Sequence, residues 1–263
     1  WKKLRKLRAD KNSNRDFNFD IIMANPPFAG DVKESRILAK YDLSRTATLE
    51  KLKNVPKGSK TVVGEPTFTD ALNNDGETVY QMSDGTFRKT KLKQATNMSR
   101  DILFVERNLD FLKPGGRMAI VLPQGRFNNS SDKSLREYIA DRCRILAIVG
   151  LHGNVFKPHT GTKTSVLFVQ KWDDELCPKV DDYNIFFATM QEPSKDNSGD
   201  KIYRSTVDEE GNNIPLLDSH GHLIVKHDLF NHDGLTQDGI AEAFAEFAKK
   251  EHLSFFADAP LTK

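Results

Sequence analysis

Cysteine is almost absent from this 263-residue chain: Cys143 and Cys177 stand apart, with no C-x-x-C spacing. That argues against a disulfide scaffold or a zinc ribbon, and the expected compartment is reducing and cytoplasmic. Long apolar runs are lacking too, so neither a membrane span nor a signal peptide is legible. There is no strong charge excess: the formal net charge is +2, so global electrostatics do not announce a nucleic-acid partner. What is present is the balance of a globular protein, 38% hydrophobic and 29% charged, long enough for one large core or a domain with an appendage. Trp1 opens the chain in place of Met. WKKLRKLR reads as the end of a basic amphipathic helix, as in a fragment of a longer protein; a solvated charge run is the other account.

The pattern alternates strands and helices. Asp20, Ile21, Ile22, Met23 and Ala24 form a short apolar run that reads as a buried strand, ended by Pro26 and Pro27, which cannot donate to a sheet. Residues 31–60 are polar, with helix-like patches ESRILAKY and TATLEKLKN. Two Asp-Gly turns flank ETVYQM and mark a hairpin. The spacing of Ile102, Leu103, Val105, Leu109 and Leu112 predicts a helix ended by Pro114-Gly115-Gly116. RMAIVLP, ILAIVGL and TSVLFVQKW read as buried strands, with the helix SDKSLREYIADRCR between the first two. The short loop before TSVLFVQKW predicts that it runs antiparallel to ILAIVGL. The expectation is half of an open α/β sheet with an antiparallel edge hairpin and β-rich insertions. Beyond about residue 180, NIFFATM suggests another strand, KIYRSTVDEEGNNIPLLDSHGHLIVKHD is turn-rich, and Ile240, Phe244 and Phe247 line a closing amphipathic helix. No repeat period is evident.

Asn25-Pro26-Pro27-Phe28 stands where open α/β sheets place ligands, at the carboxyl end of a strand. A plain strand end with a proline turn is one reading of these four residues. The other is chemical. An exocyclic amine conjugated to a ring is a poor nucleophile, and two acceptors aimed at its N–H groups localise the lone pair toward an electrophile. The Asn25 side-chain oxygen and the Pro26 carbonyl suit that task, and Phe28 offers a flat face for an extruded base.

FDIIMANPPF (19–28), LKPGGRMAIVLPQG (112–125) and LREYIADRCRILAIVGLHGNVFKPHTGTKTSVLFVQK (135–171) together resemble the methylation subunit of type I restriction-modification systems. That is an N6-adenine DNA methyltransferase family. The resemblance covers about residues 17–175. It implies the C-terminal half of a class I (Rossmann-like) methyltransferase sheet, with S-adenosylmethionine as cofactor. It gives Asn25, Pro26, Pro27 and Phe28 the target-adenine role. Phe156 becomes a second wall for the base, with a core position as the equal alternative, and Lys163 a phosphate contact. The implied partners are double-stranded DNA, a specificity subunit and a restriction subunit. No G-x-G turn precedes Asn25, so the main cofactor loop is expected to be missing from this chain, leaving DIIMA as an unprotected apolar edge prone to self-association.

Other features stay open. His220, His222, His227 and His232 admit a metal reading, against a solvated loop. Arg88, Lys89, Lys91 and Lys93 form a basic cluster suited to phosphates or to guarding a hairpin edge. The expected domains are 1–180, catalytic, with an insertion at about 60–95, and 181–263, a β-rich extension with a closing helix. Methylation of RNA adenine or protein glutamine, and a truncated module kept for assembly, are the alternatives.

Overall fold

The computed structural model describes residues 18–74 and 76–256, so the basic stretch WKKLRKLR lies outside the described residues. The strands in chain order are β1 (Phe19–Ala24), β2 (Asp31–Val32), β3 (Arg45–Lys51), β4 (Thr61–Val63), β5 (Val79–Gln81), β6 (Phe87–Gln94), β7 (Met98–Ser99), β8 (Leu112–Pro123), β9 (Cys143–Gly150), β10 (Thr164–Lys171), β11 (Phe186–Thr189), β12 (Ser205–Val207) and β13 (Asn213–Pro215). Five of them form a sheet in the order β1-β8-β10-β9-β11, and four form a smaller sheet, β3-β6-β5-β4. The chain divides into two compact units. The first runs to Ile120 and adds Gly125–Arg144 and Gln170–Trp172. The second comprises Val121–Gln124, Ile145–Val169 and the chain from Asp173 onward.

In the first unit β1 runs parallel to β8. The expected helix is present as Arg100–Phe111, and it buries Ile102, Leu103, Val105 and Leu109. It ends earlier than expected: Leu112 already starts β8, and Pro114-Gly115-Gly116 is a bulge inside the strand rather than a stop after the helix. While β1 advances from Phe19 to Ile21, its partner advances from Leu112 to Arg117. The glycines make this possible. Gly115 has φ 72°, and a Cβ on Gly116 would lie 2.9 Å from the Lys113 carbonyl and 3.0 Å from that of Asp20.

Two expectations fail in this unit. TATLEKLKN is not helical; Arg45–Lys51 pairs antiparallel with β6 along its whole length. Thr46 and Thr48 alternate with Ala47 and Leu49, so the two-residue period outweighs the helix-forming lysines and glutamate. Nor is β1 buried. It is an edge strand of its sheet, with Phe19 45%, Ile21 56% and Met23 83% exposed. The hairpin expectation for ETVYQM and TFRKTK holds, as β5 and β6 are antiparallel.

In the second unit the antiparallel turn from β9 to β10 is closed by the Leu151 N–H donating to the Thr164 carbonyl. This pair is interior to the sheet order instead of forming its edge, because β11 adds parallel to β9 outside it. NIFFATM thus supplies the edge strand. The closing helix, Ile240–Lys250, sets Phe244 and Phe247 against Phe186, each with ring centroids 5.5 Å apart. Leu146, Ala248 and Leu253 are buried beside them.

A local repeat not evident as a sequence period also emerges here: Asp196, Asp208 and Asp218 each start an Asp-x-x-Gly turn. Each Oδ1 accepts amide N–H groups two or more residues ahead, including those of Ser198, Glu210 and His220. Short side-chain turns of this kind need no fixed spacing, which hides them from a period search.

Glu106 is fully buried on the helix Arg100–Phe111. Its two oxygens accept the Asp42 and Leu43 N–H groups at 2.9 and 2.8 Å, fixing the turn that leads into β3. Burial pushes its carboxyl up to about 7, and the two backbone donors only partly offset that. A folded pKa above the unfolded value means the native state binds the extra proton. Stability from this group is therefore greatest below about pH 4.5 and falls by roughly 3 kcal/mol as pH rises to about 7. Urea unfolding at pH 5 and pH 8 is expected to show a smaller loss for Glu106→Gln than for the wild type. Equal losses would remove Glu106 from the pH response.

Candidate functional site

The loop after β1 is built to present one side chain. Asn25 is exposed at the carboxyl end of β1, and its carboxamide has no hydrogen-bond partner among the described residues. Pro26 is buried beneath it, Pro27 is exposed, and Phe28 is half-buried. Two consecutive prolines stiffen the backbone and bring no competing N–H. Gly30, at φ 95°, then turns the chain, and its carbonyl accepts the Arg100 N–H at 3.2 Å. There is little space there, since a Cβ on Gly30 would come 3.1 Å from the Arg100 guanidinium carbon. Immediately afterwards β2 pairs with β7, matching Asp31 to Ser99 and Val32 to Met98. Asn97 also donates to the Asp31 carboxylate at 2.9 Å. The loop is thus tied down on its far side next to the first turn of the helix Arg100–Phe111.

That first turn is locked in turn by a group that sequence reasoning missed. Arg126 donates through Nε and Nη2 to Asp101 at 2.8 and 3.0 Å, and through Nη1 to Asp132 at 3.1 Å. Both carboxylates are buried. Burial works against the guanidinium charge, but the two carboxylates outweigh it and hold the Arg126 pKa raised. Arg126 lies just beyond the end of β8, in the short helical turn Gly125–Asn128, and outside every motif singled out in the sequence. Only a fold that brings residues 101 and 132 to it reveals the clamp.

Phe156 and Lys163 lie in the second unit. Phe156 is half-buried in the turn before β10, and its carbonyl accepts the Thr160 N–H at 3.1 Å. Lys163 is exposed, with its carbonyl accepting the Gln124 N–H at 2.9 Å. The turn is buttressed from residues 195–199. Lys195 Nζ donates to the Lys157 carbonyl at 2.8 Å, and Asn154 donates to the Lys195 carbonyl at 3.0 Å. Gly199 packs so closely on Pro158 that an added Cβ would sit 2.5 Å from its Cδ.

The histidines separate into two kinds. His220 and His222 stand on the Asp218 turn with rings 6.2 Å apart, and His222 is largely exposed. His227 is buried, with Nδ1 accepting the Leu229 N–H and Nε2 3.1 Å from Nε2 of His232. Burial first, then His232 and Arg204, lower its pKa and favour the neutral ring. Among the described residues no group of at least three His, Cys, Asp or Glu side chains gathers to hold a metal ion. No helix of the described residues is long and apolar enough to cross a membrane.

The mixed α/β sheet, with the Asn-Pro-Pro-Phe loop at the carboxyl end of β1, places the chain in the open α/β class. The family follows from the sequence comparison. A model of the N-6 DNA Methylase family matches residues 39–210, well over half of the chain, and the chain belongs to that methyltransferase family. Two curated relatives are similar to it. The EcoEI type I restriction enzyme methylase subunit of Escherichia coli is 33% identical over 89 residues, covering 34% of this chain and 18% of that protein. The EcoKI methylase subunit of Escherichia coli K12 is 26% identical over 128 residues, covering 46% and 21%. The matched part spans about a fifth of either relative's length. Among solved structures, one of a type I R-M system is similar at 16% identity and TM-score 0.41, covering 71% of this chain and 27% of that one.

The clamp is testable by itself. Arg126→Met strands two buried carboxylates and is expected to destabilise the first unit by about 3–5 kcal/mol. Asp101→Asn with Asp132→Asn, which removes the uncompensated charge, is expected to recover part of that loss in the Met background. Denaturant unfolding monitors both; a loss below about 1 kcal/mol in the single variant would show that the ion cluster is not the fastening.

Proposed function

We propose that this chain is the target-base part of an N6-adenine DNA methyltransferase, the methylation subunit of a type I restriction-modification system. The observation that supports the reading best is the unengaged, exposed Asn25 carboxamide on a loop fixed from both sides. A hydrogen-bond acceptor that must meet a reacting amine gains from being held before the substrate arrives. Asn25 Oδ1 and the Pro26 carbonyl accept the two N–H groups of adenine N6 and leave its lone pair facing outward. Phe28 stacks on the extruded base, worth about 1–3 kcal/mol. Phe156 is the candidate second wall and Lys163 a phosphate contact.

The family's methyl donor is S-adenosylmethionine, which supplies an electrophilic methyl when bound. No G-x-G turn occurs in the sequence, and no described strand enters a helix through one. None of the described residues is assigned to the cofactor. What the chain's own residues do is bind the base, polarise its amine and orient the two N–H groups.

The system implies double-stranded DNA, a specificity subunit and a restriction subunit as partners, in the cytoplasm. Residues 1–180 act as the catalytic part and 181–263 as its extension. A second reading of β1 has its own support, in the exposed apolar Ile21 and Met23 on a strand that is an edge of its sheet among the described residues. Such an edge pairs with another strand when one is available, and in the isolated chain that strand is a second copy. Ile21→Lys with Met23→Lys is expected to convert a self-associating chain to monomer in sedimentation experiments. A wild-type chain that is monomeric at about 100 μM would sink this reading.

For the activity itself, Asn25→Ala in the full-length methylase is expected to lower methyl transfer to duplex DNA by at least about 10²–10³-fold, with cofactor binding retained. Tritiated methyl transfer and titration calorimetry read the two quantities separately. Turnover near the wild-type rate would take Asn25 out of catalysis.

A further inference from the structure

The basic cluster of β6 does not act as one patch. In the register with β3, Lys89, Lys91 and Lys93 lie opposite Glu50, Thr48 and Thr46, so these six side chains share one face of the ribbon. Thr46, Thr48, Glu50, Lys91 and Lys93 are exposed and Lys89 is partly so. Arg88 points to the other face, where it pairs with Asp84 at 3.5 Å. That other face carries Ala47, Leu49 and the buried Thr90, and the helix Phe68–Asn74 packs on these strands. The lysines are therefore not scattered guards of an edge. They form a straight row on the solvent face of β6, which is paired with β3 along its length and with β5 over Phe87–Lys89.

We infer that the solvent face of the β3–β6 ribbon is a docking surface for the phosphate backbone of duplex DNA, with Lys89, Lys91 and Lys93 as its contacts. This rests on reading the chain as a DNA methyltransferase. Alternate residues of an antiparallel strand are about 6.8 Å apart, so the row spans about 14 Å. A B-form strand presents one phosphate per about 3.4 Å of helix axis, hence about four over that length. Flexible lysine stems reach three of them without tight register. The six side chains are all polar or charged, and the apolar residues on the same face, Phe87 and the buried Val79 opposite Lys89, lie only at the β5 end of the row. The charged stretch therefore suits a phosphate backbone better than a dry protein interface. Thr48 is already committed, donating to the Lys91 carbonyl at 3.1 Å. Glu50 is the one carboxylate of the six, and it pairs with Lys91 at 3.0 Å. It acts as an internal counter-ion that DNA must displace, which makes it a second handle on the surface.

The test is duplex binding by the 263-residue chain as salt is varied, with a fluorescent duplex of arbitrary sequence. Counterion release ties the slope of log K against log salt to about 0.9 per phosphate neutralised. Replacing all three residues, Lys89→Gln, Lys91→Gln and Lys93→Gln, is expected to reduce that slope by about 2–3 and weaken binding at least about tenfold near 0.1 M salt. Glu50→Gln is expected to act in the opposite direction, tightening binding and steepening the slope, which a variant that merely perturbs folding does not do. Unchanged slope and affinity in the triple variant, with the wild type binding DNA, overturns the lysine row and leaves the methyltransferase reading standing. A wild-type chain with no salt-sensitive duplex binding overturns the row as well and counts against DNA as the substrate.

Discussion

The parallel pairing of β1 with β8 holds the candidate site in place, and the site inherits its rigidity from that pairing alone on the strand side. Ala24 pairs with Ile120, the step before Asn25, so the last ladder position of β1 aims the loop. The pairing in turn needs the bulge at Pro114-Gly115-Gly116, where a Cβ on Gly116 would crowd the Asp20 carbonyl at 3.0 Å. A motif that resembles a helix stop is in fact the device that brings two strands into register. Beyond the loop, the tie from Gly30 to Arg100 and the β2–β7 pair fasten the far end, and the Arg126 clamp fastens the helix that receives them. Polar residues thus do two different jobs around one exposed amide: Asp101 and Asp132 are buried and fully engaged, while Asn25 is left open.

A buried ion cluster at such a place is weak evidence for stability in general, since desolvation of its charges offsets their attraction. Its value here is geometric. The guanidinium fork admits one arrangement of the two carboxylates, and that arrangement sets the first turn of the helix against which the Asn25 loop is tied. Glu106 applies the same economy further along the helix, capping residues 42 and 43 where β3 begins. One helix therefore orients the loop through one end and launches the small sheet through its middle.

The small sheet illustrates how a modest net charge can conceal a local one. The chain carries +2 overall, yet one face of one ribbon concentrates three lysines against a single glutamate. Strand alternation performs that sorting, sending Arg88, Ala47 and Leu49 to one face and the three lysines to the other. In the C-terminal region the same preference for local chemistry appears as Asp-x-x-Gly turns, in which each aspartate satisfies its own hairpin's amides and leaves the tip side chains in solvent.

The strands β1, β8, β9 and β10, the helices that precede β8 and β9, the Asn-Pro-Pro-Phe loop and membership of the methylase family were legible in the chain, because periodicity, proline and short motifs are local properties. The hairpins and the closing helix with Phe244 and Phe247 were legible for the same reason. The tertiary structure alone decided the rest. Whether TATLEKLKN is strand or helix depended on a partner strand far along the chain, with Thr48 matched to Lys91. That β1 lies exposed depended on which strands flank it, and a run of apolar residues reads the same in a buried strand and at an edge. Arg126 gained its role from Asp101, 25 residues back, and Asp132, 6 residues on, through contacts no spacing rule joins. Local sequence sets what a segment prefers, but burial and pairing are relations between distant segments, and only the fold supplies them.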